Sequence, residues 1–338
     1  MDLSIIIVNW NTRGLLRDCL VTLFAGLGGL RAEVFVVDNG STDESLAMLG
    51  AEFPQVIAVA NPRNLGFAAA NNLALARAVG RHVLLLNTDT LVHGAVLAAA
   101  VGWLDAHPAV AVLGPRVLNR DGTVQVSSTR FPSLANLTLQ MLGLTRFAAF
   151  DRYRTERWDR RDTREVEVIS GCAMFVRAAA VGQVGPLDAD FIFYGEETDW
   201  CRRFAKAGWQ VVFAPVGEIT HFGGGSVKSL NHMRDILLTQ GTVRLHAKHG
   251  GPLAGVACYG LLGLFNLSRS VVWTVLALGR PAARDRARLS AVSWRSSARP
   301  GLPRCRHEGS DDRAQCRWHR CRRGLCCLQM GRGAGGAG

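Results

Sequence analysis

No C-x2-C pair occurs anywhere in the 338-residue chain, which removes the tight turn by which a structural zinc site takes two thiolates. Four of the nine cysteines, Cys19, Cys172, Cys201 and Cys258, are widely spaced and read as reduced core thiols rather than a disulfide framework. The other five crowd the end of the chain with C-x4-C-x4-C-C spacing from Cys316, not a structural zinc pattern even with His307 and His319 beside them. No basic strand is interleaved with aromatic residues. A formal charge of +12 therefore does not come with a stacking platform for single strands, and no nucleic-acid partner is expected. The positive charge is uneven: six arginines alternate with four acids in Asp151–Arg164, and more lie in the tail from Arg304 to Arg323. No basic stretch leads into a helical apolar segment with a small-residue cleavage site, so a cytoplasmic location is expected. An uninterrupted apolar run of roughly 18 residues is missing from the later half as well. Leu253–Leu278 is broken by Asn266, Ser268, Arg269 and Ser270. Two short helices, packed on the body or lying in a membrane interface, fit it better than one span.

What the chain does have is a hydrophobic content of 48%, enough for a packed globular core. Three β-branched apolar runs end in polar clusters: Ser4-Ile-Ile-Ile-Val-Asn-Trp-Asn11, Glu33-Val-Phe-Val-Val-Asp-Asn-Gly-Ser-Thr-Asp43 and His82-Val-Leu-Leu-Leu-Asn-Thr-Asp89. Continuous runs of this kind suit strands covered on both faces, as in a parallel sheet with helices on either side. Between them lie helix signals: Asn11 or Thr12 as a cap for a helix through Phe24, Ser41 with Glu44 as a capping box for one through Gly50, and an alanine-rich stretch from Phe67 to Val79. With strands at 56–60 and 110–114 and a helix from Gly94 to Ala106, the pattern predicts a doubly wound, mostly parallel α/β fold through about Pro115. After it come a hairpin around Asp121-Gly122, a strand-like stretch at Glu165–Arg177, a helix from Thr198 to Gly208 and a strand at Gln210–Ala214. Beyond about Ser297 periodicity is lost and disorder is expected.

Ligands of such sheets bind outside the carboxyl ends of the strands, which gathers the three polar clusters into one candidate site. In Val37-Asp-Asn-Gly-Ser-Thr-Asp43 a carboxylate suits the imide of a uracil or thymine base, with Gly40 turning the chain beside it. Taken alone, the segment is better explained as a plain Asp-Asn-Gly turn with a helix cap. Asn61-Pro-Arg-Asn-Leu-Gly66 sets a glycine turn before a small-residue helix. In Phe191-Ile-Phe-Tyr-Gly-Glu-Glu-Thr-Asp199 three acids open a helix. The helix dipole favours them there, but three exceed what capping needs, and apolar neighbours raise a carboxylate toward general-base duty. His221 precedes a glycine-rich loop, where a histidine is structural unless a carboxylate lies near.

In this order IIIVNWN, VVDNGSTD, NPRNLGFAAANN, LLLNTDT and FYGEETDWCRR, followed by the His221 loop, resemble the family 2 glycosyltransferases of the GT-A fold. The bacterial rhamnosyltransferase-like members are the nearest in pattern. The resemblance runs from Ser4 to about Ser226. It implies residues 1–250 as the transferase domain, with 1–115 holding the nucleotide-sugar donor and 116–250 the acceptor. An apolar segment at 251–280 and a basic tail at 281–338 follow. The implied reaction is an inverting transfer, in cell-surface polysaccharide synthesis, from a nucleotide sugar such as dTDP-rhamnose to a glycan or polyprenyl-diphosphate-linked acceptor. It would use Mg²⁺ or Mn²⁺ at the inner face of the plasma membrane. Asp38 would contact the base; Asn9, Asn64, Gly66, Asn87, Glu196 and Arg202 would line the substrate site. Asp89 and His221 would hold the metal, and Glu197 or Asp199 would be the base. Two positions depart from the family pattern. Asn87-Thr88-Asp89 replaces Asp-x-Asp, leaving more of the coordination to His221, phosphate oxygens and water, and the base position carries Glu rather than the frequent Asp. An inactive nucleotide-sugar-binding or scaffold protein is the alternative these departures keep open.

Overall fold

The computed structural model describes residues 1–144, 147, 158–191, 194–223 and 231–279. The tail, the first half of the arginine-rich stretch and the glycines after Gly223 lie outside them.

The elements run β1 (Leu3–Asn9), α1 (Arg13–Ala25), β2 (Ala32–Asp38), α2 (Ser45–Glu52), β3 (Ile57–Ala60), α3 (Phe67–Leu75), β4 (His82–Asn87), β5 (Thr90–Val92), α4 (Val96–Ala106) and β6 (Val110–Leu118). Then come β7 (Ser128–Thr129), α5 (Leu134–Met141), β8 (Arg164–Glu165), β9 (Val168–Ile169), β10 (Ala173–Arg177), α6 (Ala178–Val184), α7 (Glu196–Lys206), β11 (Gln210–His221), α8 (Asn231–Gly250) and α9 (Pro252–Gly279). The main sheet has the order β3-β2-β1-β4-β10-β6-β11-β5, with β8 paired to β11; β7 and β9 form a separate ribbon. Strands β3, β2, β1 and β4 are mutually parallel, as are β6 and β11, while β10 runs antiparallel between β4 and β6. This is the mostly parallel α/β sheet expected, with one reversed strand at its centre.

The two-residue period of a strand shows in the packing. Ile5, Ile7, Val34, Val36, Leu84 and Leu86 pack on α1, α2 and α4, whereas Ile6, Phe35, Val37, Val83 and Leu85 pack with α3, α6 and α7 on the other face. At ~25 cal/mol per Å² of apolar surface removed from water, these two layers hold the sheet together.

Several local expectations are corrected. The Ser41–Glu44 capping box does not form. Glu44 takes a left-handed backbone and α2 starts at Ser45, because Asp43 takes the amides of both Ser45 and Arg13 and so ties two loops together. The hairpin around Asp121-Gly122 shrinks to one bridge, Leu118 to Val124. The stretch from Glu165 to Arg177 divides into three strands. Strand β6 runs on through Pro115, and β11 continues past a bulge between Phe213 and Glu218. Leu253–Leu278 lies within one continuous helix, α9, instead of two. Its polar residues bond back to their own helix, Ser268 Oγ to Phe265 O at 2.8 Å and Thr274 Oγ1 to Ser270 O at 2.7 Å, with Arg269 over the Phe265 ring. A hydroxyl satisfied that way does not break a helix.

Candidate active site

Parallel register places Asn9 beside Asp38 and Val8 beside Asn87, so the ends of β1, β2 and β4 form one edge. Asp38 is buried. Its Oδ1 accepts from Asn9 Nδ2 at 2.8 Å and its Oδ2 from the Ser41 amide at 2.9 Å. The Asn9 side-chain oxygen, Oδ1, accepts from Thr12 Oγ1, whose hydroxyl also meets Thr88. Gly40 is required in this turn. Its φ is +78°, and a Cβ there would stand 2.9 Å from the Arg63 backbone.

Asn64 and Gly66 belong to the same corner, through a residue that the sequence reading passed over. Asn39, 2% exposed, donates to Asn64 Oδ1 at 3.1 Å and to Gly66 O at 3.2 Å, and its own oxygen accepts from Asn61 and from the Leu65 amide. Asn64 Oδ1 also takes the Gly66 amide at 2.8 Å at the start of α3. An asparagine offers donors and an acceptor from one group, which lets one side chain hold two loops. Only its place in the Asp-Asn-Gly run could have signalled this.

On β4 and just beyond it, Asp89 Oδ1 lies 3.2 Å from His221 Nε2, and Asn87 Nδ2 is 3.3 Å from the same nitrogen. The antiparallel pairing of β5 with β11, unforeseen from the sequence, brings this about by setting His221 opposite Thr90. Gln125 fixes the imidazole. Its amide nitrogen donates to Asn119 Oδ1 at 2.8 Å, so its Oε1 must accept from His221 Nδ1, at 2.7 Å. In the neutral ring Nε2 is then an acceptor, which the Asn87 Nδ2–H reaches, with the Asp89 carboxylate beside it. Two such acceptors, with the outer nitrogen tethered, suit a divalent cation. Among the described residues there is no cluster of three His, Cys, Asp or Glu side chains of metal-binding geometry. Asp89, His221 and the Asn87 amide are thus a partial donor set of the sort that leaves positions for phosphate oxygens and water.

The loop Ser170-Gly171-Cys172 separates this pair from the acidic helix. Burial pushes the Cys172 thiol up to about 11, with the charges of Asp89 and Glu197 both adding to the rise, so both carboxylates lie near it. A Cβ on Gly171 would meet the Phe67 ring and Glu197 Cβ. The turn into α7 has left-handed φ at both Tyr194 and Gly195, 67° and 105°, and this geometry aims the first acids of α7 inward. Burial raises Glu197 above the ordinary carboxylate range, and raises Glu196 well above it with the Glu197 charge as a second cause. Glu196 is 4% exposed, and its Oε2 has no hydrogen-bond partner.

Asp199 is placed elsewhere, which corrects its standing as an alternative base. It is fully buried, with Arg203 Nε at 2.8 Å on one oxygen and Lys248 Nζ and His249 Nε2, each at 2.8 Å, on the other. A carboxylate held by three basic groups pins α8 to α7, and its charge is matched there rather than directed at an acceptor hydroxyl. Arg202, next to the Arg203 that pairs with Asp199, is held differently. Its guanidinium lies over the Phe131 ring, 4.9 Å from the centroid.

The family model described as glycosyl transferase family 2 matches residues 4–182. An N-acetylglucosaminyl-diphospho-decaprenol L-rhamnosyltransferase of Mycobacterium tuberculosis is 31% identical over 202 residues, 56% of this chain and 66% of that protein. The alignment therefore spans just under two thirds of that relative. A low-salt glycan biosynthesis hexosyltransferase of Haloferax volcanii is 23% identical over 224 residues, 65% of this chain and 67% of its own. Among solved structures, a mannosyltransferase from Pyrobaculum calidifontis in complex with GDP-Man and Mn²⁺ superposes with a TM-score of 0.51 at 18% identity, covering 88% of this chain and 85% of that one. At that identity the likeness is one of fold.

Proposed function

This chain belongs to glycosyl transferase family 2, with a GT-A type fold, and from that premise we propose that it transfers a sugar, rhamnose from dTDP-rhamnose, to a hydroxyl of a lipid-linked acceptor with inversion. The observation that carries this reading is that Asp89–His221 and Glu197 both lie near the Gly171–Cys172 turn, which bonds to Asn87 on one residue and touches Glu197 on the other. In this reading the Asp89–His221 end takes the nucleotide diphosphate and the Glu197 end the attacking hydroxyl. Asp38 and the Asn39-braced loop at Asn64 and Gly66 hold the nucleotide. Asp89 and His221, with Asn87, are the residues that would hold Mg²⁺ or Mn²⁺, and the ion supplies charge neutralisation for the leaving diphosphate. Glu197 accepts the acceptor hydroxyl proton as that oxygen attacks the anomeric carbon from the face opposite the diphosphate. Burial makes it a stronger base than a solvated carboxylate.

The donor assignment rests on the rhamnosyltransferase relative, and the acceptor assignment on its printed substrate together with α9. From Pro252 to Val275 that helix is long and apolar enough to cross a membrane by length and composition, and only 17% of its most apolar window is buried. Leu253, Val256, Leu264 and Val275 are exposed along it. A helix of this kind suits contact with the inner face of a plasma membrane, where a polyprenyl diphosphate is presented. A donor panel tests the reading. dTDP-rhamnose, UDP sugars and GDP sugars are compared with Mg²⁺ or Mn²⁺ and a lipid-linked acceptor, with released nucleotide and glycosylated lipid as readouts. Acceptor-dependent release from dTDP-rhamnose is expected. Nucleotide binding without transfer from any donor would identify an inactive sugar-nucleotide-binding protein instead.

A further inference from the structure

Arg202 stands apart from the other arginines that are not exposed. Arg116 and Arg244 are paired with Glu218 and Asp190, Arg203 with Asp199, and Arg160 and Arg177 donate to backbone carbonyls. Among the described residues Arg202 makes neither a hydrogen bond nor an ion pair; its Nε is buried and unpartnered, and the Phe131 face is all that holds it. The same ring packs against His246 at 6.3 Å and His249 at 5.7 Å between centroids. His246 is 6% exposed; its Nδ1 donates to Thr242 O at 2.8 Å and its Nε2 has no partner. The acids nearby are committed elsewhere. Glu167 accepts the Phe131 amide at 2.6 Å and lies 3.9 Å from Arg130, and Asp199 is enclosed by Arg203, Lys248 and His249. A guanidinium drawn partly out of water with its donor fork unclaimed is costly unless an anion completes it.

Resting on the transferase reading above, we infer that Arg202, seated on Phe131 beside His246, binds the phosphate that links the acceptor sugar to its lipid. The placement suits that ligand. Arg202 follows Glu197 on α7 by five residues, ~7.5 Å along the axis and ~140° around it, so a ligand that reaches both extends along the helix and partly round it. Phe131 follows β7, whose neighbour Ser127 accepts the Ser170 amide at 2.8 Å, next to the Gly171 turn that touches Glu197. On its other side the chain enters α5, which packs on α9. The inference places the sugar at Glu197, the phosphate at Arg202 and the apolar chain toward the exposed residues of α9. A planar fork on an aromatic ring suits a bidentate phosphate contact better than a lysine would.

The test compares the full chain with Arg202→Gln and Arg202→Lys. The preference for a diphosphate-linked acceptor over the same sugar as a neutral alkyl glycoside, as a ratio of kcat/KM, should fall about tenfold in Arg202→Gln and be partly restored in Arg202→Lys. KM for the nucleotide sugar should not move with it. Equal losses on both acceptors would reduce the arginine to a structural role, and a raised donor KM would assign it to the donor's phosphates; either overturns the inference. Calorimetric binding of a short-chain prenyl diphosphate gives an answer without turnover. Wild type should bind about tenfold more tightly than Arg202→Gln, and equal affinities refute the site even if transfer occurs. Phosphatidylglycerol vesicles should bind both proteins equally. If vesicle binding falls and prenyl diphosphate binding does not, the anion is a bilayer headgroup and the assignment fails. Absence of transfer by wild type to every acceptor, with prenyl diphosphate binding intact and Arg202-dependent, would refute the transferase reading and leave the site standing.

Discussion

At the amino-terminal edge of the sheet Arg81 pairs with both Asp2 and Asp105, and buried His82 meets the same Asp105 at 2.8 Å. At the carboxyl edge Asp89 lies beside His221, and Glu196 is buried beside Glu197 with one oxygen unpartnered. The hydrogen bond from Arg81 draws Asp105 down to about 2, while burial pushes Glu196 and Glu197 up. One strand, β4, links the two edges: it begins at His82 in an ion cluster and ends at Asn87 beside the Asp89–His221 pair. Charge that is mutually matched stabilises a fold. A buried acid without a hydrogen-bond partner is held by the surrounding structure at a cost and is available to a ligand.

Removing the base should have the largest effect. Glu197→Gln is expected to cut transfer by roughly 10²- to 10⁴-fold with little change in donor binding, measured by single-turnover kinetics and nucleotide titration. Asp89→Ala should cost at least about 10²-fold and weaken dependence on Mg²⁺ or Mn²⁺, read by metal titration. The pH profile comes next. Because Glu197 must be ionised to act and burial raises its pKa, wild-type activity should fall as pH drops through a value above the ordinary ~4.3 of glutamate, and the residual activity of Glu197→Gln should lack that limb.

The smaller effects are on stability and differ in sign between the edges. Glu196 favours its protonated form in the fold, so the stability it allows is fully present below the unfolded value near ~4.3 and is lost as pH rises through its raised folded value. Glu196→Gln should therefore stabilise the protein at neutral pH by about 1–2 kcal/mol, seen as a higher Tm, while reducing transfer. Asp105 runs the other way. Its contribution is present above ~3.9 and fades as pH falls toward 2. With a side chain 40% exposed, Asp105→Asn should cost less than ~1 kcal/mol at pH 7 and leave transfer unchanged. If Asp105→Asn impaired transfer or Glu196→Gln destabilised the fold, the contrast between the edges would be wrong.

Much of the amino-terminal half was legible. Apolar runs ending in Asn9, Asp38 and Asn87 gave both the parallel strands and the polar edge, because a strand buried on both faces leaves its chemistry at its end. The His221 position was legible only as a motif; β5, three residues long, brings it to Asp89, and a strand so short leaves almost no periodic signal. The carboxyl-terminal half was harder to read. Asp199 and Glu197 look alike in Gly-Glu-Glu-Thr-Asp, and nothing local says that Lys248 and His249 of α8 close around one and not the other. The polar interruption in Leu253–Leu278 misled for a related reason, since composition does not reveal hydroxyls that turn back onto their own helix.

The sequence by itself determined the layered α/β architecture, the family and the polar edge where donor chemistry gathers, because periodicity and turn residues act over a few positions along the chain. Which carboxylate is left to act was decided by tertiary structure. Glu196, Glu197 and Asp199 begin with similar chemistry, and their differences come from burial and from basic groups about 50 residues distant, at Lys248 and His249. Arg202 is the same case in the opposite sign: an arginine like its neighbour Arg203 in the sequence, and set apart because the fold gave one an aspartate and the other an aromatic ring.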